Sequence, residues 1–346
     1  MKYNLLGKTE LQVSEICLGS MTWGEQNSAA DAFVQMNYAL ENGINFFDTA
    51  ELYAIPPKAE TYGATESIIG QWLKETGNRE QVILASKVCG PTEWCPHIRD
   101  GKARLNRKHL IEACEGSLRR LNTDYIDLYQ THWPDRNCNY FGKLDYRHKR
   151  EESATAIDET LEALKSLVDS GKVRHIGVSN ETPWGIMQHL QCAESLGLPR
   201  IASIQNPYNL LNRSYEIGLA EISCREKVGL LAYSPLAFGT LSGKYLNGNR
   251  PSGSRLSLFE HYARYSNDRG KQATQDYVEL AVKQGLDPAQ MALAFIRQQP
   301  FVASTIIGAT TQQQLADNIA SHRITLSDAC ISEIQSIHNS NPNPCP

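Results

Sequence analysis

Short, wholly apolar runs alternate along this chain with longer stretches in which apolar residues recur at helical spacing. Residues 3–15 read as a hairpin around Gly7-Lys8-Thr9, and Ile16-Cys17-Leu18-Gly19-Ser20 as a first buried strand. From Ala29 to Asn42 the apolar positions Ala32, Val34, Met36, Ala39 and Leu40 suit a helix, which Gly43 would end. The alternation then predicts strand 44–50, helix 64–76, strand 82–88, helix 107–121, strand 125–132 and helix 155–170. It goes on with strand 174–179, helix 183–196, strand 202–206, helix 213–226, strand 229–233, two helices within 268–298, strand 304–308, helix 311–320 and a C-terminal helix. The strands lack a polar face, as strands buried on both sides do. Eight such strands alternating with helices predict a parallel sheet, and over 346 residues they predict one closed (β/α)8 TIM barrel domain, 1–346, behind the hairpin. The alternative, an open doubly wound sheet, carries G-x-G-x-x-G after an early strand, and this chain has no such motif. Long polar loops follow strands 2, 4 and 7 at 51–63, 133–154 and 234–267, and loops of that length are usually functional or disordered.

Chemistry collects at the strand ends. Asn45-Phe46-Phe47-Asp48-Thr49-Ala50-Glu51-Leu52-Tyr53 runs from an apolar strand into an acid and then a phenol. The next two strands end in Lys87 and His132. In a parallel barrel those ends converge on one rim, where active sites lie. A lone lysine or histidine is more often a surface charge or a satisfied structural group; three consecutive strands ending in Asp, Lys and His are harder to dismiss. Gly177-Val178-Ser179-Asn180 and Ile204-Gln205-Asn206-Pro207 add amide and hydroxyl groups that suit a planar carboxamide or, equally, loop backbone. Gly239-Thr240-Leu241-Ser242-Gly243-Lys244-Tyr245 is no P-loop: three residues separate the glycines, and Tyr245 stands where Ser or Thr would hold magnesium. Gly308-Ala309-Thr310-Thr311 leads into a helix whose N-terminus is either an anion site or a plain threonine cap.

Composition narrows the classes. The net charge of −4 gives no basic footprint for nucleic acid. No apolar run approaches the roughly 20 residues of a membrane span, and the N-terminus lacks a signal-peptide core. Nine scattered cysteines without a CxxC pair, Cys89 and Cys95 being the nearest neighbours, suggest free thiols in a reducing cytoplasm. No H-x-H or HExxH motif supports a metal-dependent barrel hydrolase, so no metal site is expected.

From the hairpin to Asn318 the sequence resembles the aldo-keto reductase family, nearest its bacterial Tas-type branch and more distantly the potassium-channel β-subunits. The resemblance rests on Phe47-Asp48-Thr49-Ala50 with Tyr53, Ser86-Lys87, His132-Trp133, Gly177-Val178-Ser179-Asn180, Gln205, Tyr233-Ser234-Pro235-Leu236, and Gly308-Ala309 with Gln314-Leu315 and Asn318. It implies a TIM barrel that binds NADP(H) without a Rossmann domain and reduces the carbonyl of a small molecule. In that reading Tyr53 gives the proton, Lys87 lowers its pKa, Asp48 holds Lys87, and His132 orients the carbonyl. Ser179, Asn180 and Gln205 would grip the nicotinamide carboxamide, with Tyr233 stacked on the ring, and Gly19, Ser20, Met21 and Asp48 would also bind the cofactor. Ser234-Pro235-Leu236-Ala237-Phe238-Gly239-Thr240-Leu241-Ser242-Gly243-Lys244 would fold over the pyrophosphate, and Gly308, Thr310, Gln314 and Asn318 would meet the adenosine end. Many relatives carry arginine where this chain has Thr310, so NADP preference falls to Lys244 and Arg255. Trp23, Tyr53 and Trp133 would line an apolar substrate mouth. The competing expectation is a regulatory subunit that keeps barrel and cofactor but acts by binding a partner.

Overall fold

The computed structural model describes residues 1–260 and 262–346, so one position of the 234–267 loop lies outside the described residues. Strands β1 (Tyr3–Leu5) and β2 (Gln12–Ser14) form the antiparallel hairpin, turning at Gly7. The barrel is closed by β3 (Ile16–Gly19), β4 (Phe46–Asp48), β5 (Ile83–Val88), β6 (Ile126–Thr131), β7 (Val173–Ser179), β8 (Ile201–Pro207), β9 (Gly229–Tyr233) and β10 (Val302–Ile307), all parallel, with β10 pairing back to β3. Around it lie α1 (Ala29–Glu41), α2 (Ala64–Thr76), α3 (Arg107–Leu121), α4 (Ile157–Asp169), α5 (Pro183–Leu196) and α6 (Leu219–Glu226). They are followed by α7 (Arg255–Leu258), α8 (Asp268–Lys283), α9 (Pro288–Arg297), α10 (Gln312–Ala320) and α11 (Asp328–Ser340).

Local chemistry explains the boundaries. Ser28 and Asp31 form a reciprocal capping box at the start of α1, a device worth about 0.5–2 kcal/mol. Asn106, Thr182, Asn267, Asp287, Thr311 and Ser327 cap other helices with their side chains. The expected helix over 213–226 is divided: a 3-10 turn at Ser214–Ile217 precedes α6, and Gly218 breaks the run with its backbone packed on Pro183. Glycine is among the weakest helix formers, which makes it the natural breaking point.

Two layers of apolar side chains hold the barrel. The larger lies between strands and helices and includes Leu18, Phe47, Leu84, Tyr129, Val178 and Leu230. The smaller fills the barrel's interior with Cys17, Phe46, Ala85, Leu128, Leu231 and Ile306, and is plugged from below by Leu6, Leu11 and Val13 of the hairpin. Side chains alternate faces along a strand. A residue two places beyond an interior one therefore also points inward, one layer nearer the C-terminal rim. Phe46 thus hands on to Asp48, Ala85 to Lys87, Leu128 to Gln130, and Leu231 to Tyr233. The sheet's period places the polar cluster. Gly19 permits the tight closure beside it: a Cβ there would stand 2.8 Å from Ile306 Cγ2 and 2.9 Å from the Ile307 carbonyl oxygen.

Candidate active site

At the C-terminal rim Lys87 is fully buried. Its ammonium donates to Asp48 Oδ2 at 2.6 Å, to the Thr49 carbonyl oxygen at 2.8 Å and to the Tyr53 hydroxyl at 3.4 Å. The other Asp48 oxygen accepts from Gln205 Nε2 at 2.8 Å and Gln130 Nε2 at 3.4 Å, and Ser20 Oγ donates to the Asp48 carbonyl at 2.7 Å. A buried carboxylate with a cation and two amides around it has the partners its burial demands. His132 lies edge-on to Tyr53, ring centroids 5.8 Å apart, and packs on Trp133 at 4.9 Å. The four residues of the expected tetrad meet at one place.

Burial works against the Lys87 charge, yet Asp48 and Tyr53 together hold its pKa above the ordinary lysine value. Burial pushes the Tyr53 phenol up, with Lys87 opposing and Asp48 adding to the rise. This reverses the expectation that Lys87 brings Tyr53 below its usual value: here burial is the larger effect. His132 is held well below the usual imidazole range, first by burial and then by the nearby Lys87 charge. It is neutral at pH 7, with one ring N–H to donate.

Ser179, Asn180, Gln205 and Tyr233 also gather at the rim, but bonded to one another. Ser179 Oγ donates to the Gln205 carbonyl at 2.7 Å, Asn180 Nδ2 to the His132 carbonyl at 2.9 Å, and the Tyr233 hydroxyl to Asn180 Oδ1 at 2.6 Å. The 237–243 segment winds as a 3-10 turn with Ala237, Phe238, Gly239 and Gly243 at positive φ, and Lys244 lies over the Tyr245 ring at 5.2 Å. Arg255 opens α7. Its guanidinium sits 5.0 Å from the Phe238 ring and donates to Met21 Sδ at 3.8 Å. No carboxylate pairs with it among the described residues, and burial lowers its pKa. Arg255 thus meets Met21, at the end of β3, rather than Thr310 or Gln314. At α10, Thr311 is the N-cap; Thr310 N–H and Oγ1 both donate to Gln314 Oε1 at 3.1 Å, and Asn318 Nδ2 donates to the Gly308 carbonyl at 3.3 Å.

Two of the three residues expected to line the mouth, Trp23 and Trp133, are fully buried. Trp23 is fully enclosed in the outer core, its Nε1 donating to Gln35 Oε1 at 3.1 Å, so it does not line a mouth. Trp133 has no exposed surface either; Trp94 and Phe141 pack on it from outside, at 5.7 and 5.8 Å between ring centroids.

Two contributors escaped the sequence reading. Gln130, two places before His132, is betrayed only by strand alternation. Glu51 is the second: fully buried, it accepts from Cys89 N–H at 2.6 Å, Arg99 Nη2 at 2.7 Å and the Tyr62 hydroxyl at 3.0 Å. Its own N–H donates to the Lys87 carbonyl at 3.2 Å. Glu51 therefore ties the loop bearing Tyr53 to the strand bearing Lys87. Among the described residues no cluster of His, Cys, Asp and Glu suits a metal, no disulfide forms, and no helix is long and apolar enough to cross a membrane.

The sequence profile of the aldo/keto reductase family matches residues 15–339. The chain is 52% identical over 347 residues to Protein tas of Escherichia coli (strain K12), covering 100% of both chains. It is 36% identical over 333 residues to the uncharacterized oxidoreductase YrpG of Bacillus subtilis (strain 168), covering 94% of this chain and 92% of that one. A probable voltage-gated potassium channel subunit beta of Oryza sativa subsp. japonica is 30% identical over 351 residues, covering 99% and 98%. With its parallel eight-stranded barrel, the chain belongs to the aldo/keto reductase family of oxidoreductases.

Proposed function

We propose that the protein reduces the carbonyl of a small aldehyde or ketone to an alcohol, using NADP(H) as cofactor and Tyr53 as proton donor. The observation that carries the reading is the continuous hydrogen-bonded contact from Asp48 through the buried Lys87 to the Tyr53 hydroxyl. A phenol raised by burial stays protonated at neutral pH, so it is ready to give its proton to a developing alkoxide. Lys87 then steadies the phenolate left behind, and Asp48 keeps Lys87 charged and in place. The neutral His132 ring orients the carbonyl oxygen through its N–H. When bound, NADPH supplies the hydride.

The residues suit that cofactor. An enclosed guanidinium that pairs with no carboxylate among the described residues, Arg255, fits a phosphate, and Lys244 joins it across Tyr245. Ser179, Asn180 and Gln205 would exchange their mutual bonds for those of a carboxamide, beside Gly19, Ser20 and Met21, with Tyr233 as the stacking ring. Gly308, Thr310, Gln314 and Asn318 would hold the adenosine end. The test is NADPH consumption, read by absorbance, across a panel of aldehydes and ketones. Turnover supports the reading. Tight NADPH binding without turnover of any carbonyl favours a barrel that serves as a partner-binding subunit.

A further inference from the structure

The turn that carries Tyr53 leaves the sheet at Glu51. β4 pairs with β5 as far as Asp48 and Ala85, and two more bonds continue the ladder: Thr49 N–H to the Ala85 carbonyl at 2.9 Å and Glu51 N–H to the Lys87 carbonyl at 3.2 Å. The next rung of a parallel ladder would run from Cys89 N–H to the Glu51 carbonyl. It runs instead to Glu51 Oε1, at 2.6 Å. The side chain takes the place of its own backbone, which is then free to turn: Tyr53 N–H donates to the Ala50 carbonyl at 3.1 Å. Glu51 thus grips β5 at the Lys87 carbonyl and at Cys89, two residues before Tyr53.

The second carboxylate oxygen is held as firmly. Oε2 accepts from Arg99 Nη2 at 2.7 Å and from the Tyr62 hydroxyl at 3.0 Å. The Glu51 side chain has no exposed surface and that of Arg99 only 6%, so solvent barely screens the pair. Arg99 opens the 3-10 turn Arg99–Gly101 in the loop between β5 and α3. Ile98 beside it packs with Leu52, Cys89 and Trp133, and Tyr53 packs against the same cluster. The Lys87 ammonium bonds Asp48, Thr49 and Tyr53, not Glu51, so the pair acts through the placement of the turn. That placement has little slack. The Tyr53 hydroxyl is 3.4 Å from Lys87 Nζ, near the limit of a hydrogen bond. A misplacement of about 1 Å can cost about a hundredfold in rate.

We propose that Glu51 and Arg99 are positioning residues for the proton donor: their buried ion pair pins the Tyr53 turn to β5 in the register at which the phenol meets Lys87. The assignment rests on Tyr53 as donor in the proposed reduction and adds the pair that sets it in place.

The test uses the full chain with NADPH and 4-nitrobenzaldehyde. Glu51→Gln keeps the side chain's size and removes its charge, and Arg99→Lys keeps the cation. In Glu51→Gln/Arg99→Met both charges leave together, which spares the fold a lone buried ion. At a temperature where every variant is folded, kcat should fall about ten- to a hundredfold in Glu51→Gln and in the double variant, with aldehyde KM and NADPH affinity within a few-fold of wild type. Arg99→Lys should keep more of the rate than the double variant does. Crystal structures of the wild type and the double variant read the geometry without turnover: the Tyr53 hydroxyl should meet Lys87 in the first and lie beyond hydrogen-bond reach in the second. If the double variant does not fold, Glu51→Gln stands in for it in both measurements. A wild-type kcat in the double variant, or a Tyr53 hydroxyl equally placed in both crystals, overturns the proposal and leaves the pair as a clamp that shows only in Tm. If the wild type reduces no carbonyl, the reductase reading falls, and the two crystal structures alone decide the positioning.

Discussion

Replacing Lys87 by methionine keeps the side chain's length and removes its charge. Lys87 is fully buried and gives hydrogen bonds to Asp48, the Thr49 carbonyl and Tyr53. Without it Asp48 Oδ2 loses its cation at 2.6 Å, and the remaining donors to that carboxylate, Gln205 and Gln130, both address Oδ1. Breaking a buried ion pair by removing one partner costs about 3–5 kcal/mol. At about 2.1 cal/mol/K per residue, a chain of 346 residues has an unfolding entropy near 0.7 kcal/mol/K, so Tm should fall by roughly 4–7 °C. The cost belongs to the uncompensated carboxylate, so adding Asp48→Asn should return much of it, and the double variant should be more stable than the sum of the single losses implies. Thermal denaturation of wild type, both single variants and the double variant measures this directly. Turnover should collapse in all three variants, and the basic limb of the alcohol-oxidation profile should move upward in Lys87→Met because Tyr53 has lost the one charge that opposed its rise. A Lys87→Met protein with wild-type Tm, or a double variant that simply adds the two losses, would refute the buried-pair argument.

Two further outcomes follow from the same geometry. Arg255→Ala should weaken NADPH about ten- to a hundredfold and hardly touch NADH, because the guanidinium has no carboxylate partner among the described residues; fluorescence titration of both cofactors checks it, and equal losses would remove Arg255 from the 2′-phosphate. Stability should fall as pH drops below about 6.5: His132 and His189 are buried and held below the usual imidazole range, so the unfolded chain binds protons that the folded one refuses, at up to about 1.4 kcal/mol per pH unit for each group. Urea denaturation at pH 7 and pH 5 should show that loss, and His132→Gln should show less of it; an equal loss in the variant would place the acid sensitivity elsewhere.

The barrel was legible because its signals are local. Apolar runs ending in Asp48, Lys87 and His132 name both the strands and the rim, and the helix over 107–121 has the predicted bounds. What stayed hidden depends on contacts distant in sequence. Glu51 looks like a loop acid until Arg99, Tyr62 and Cys89 are seen to close on it. Trp23 reads as a mouth residue because it follows the first strand, yet the loop turns it inward onto Gln35 of α1. The balance of burial against charge at Tyr53 likewise needs the enclosing walls, which spacing does not reveal.

The central claim is that Tyr53 gives the proton. Tyr53→Phe keeps the ring beside His132 and deletes a hydroxyl whose contact with Lys87 is 3.4 Å long, while Lys87 retains Asp48 and Thr49. The fold and the cofactor site should therefore survive. The decisive measurement is the rate of carbonyl reduction by Tyr53→Phe saturated with NADPH. General-acid catalysis typically supplies 10²–10⁴-fold, so the rate should fall by about that factor with NADPH affinity unchanged. A rate within a few-fold of wild type would contradict the account.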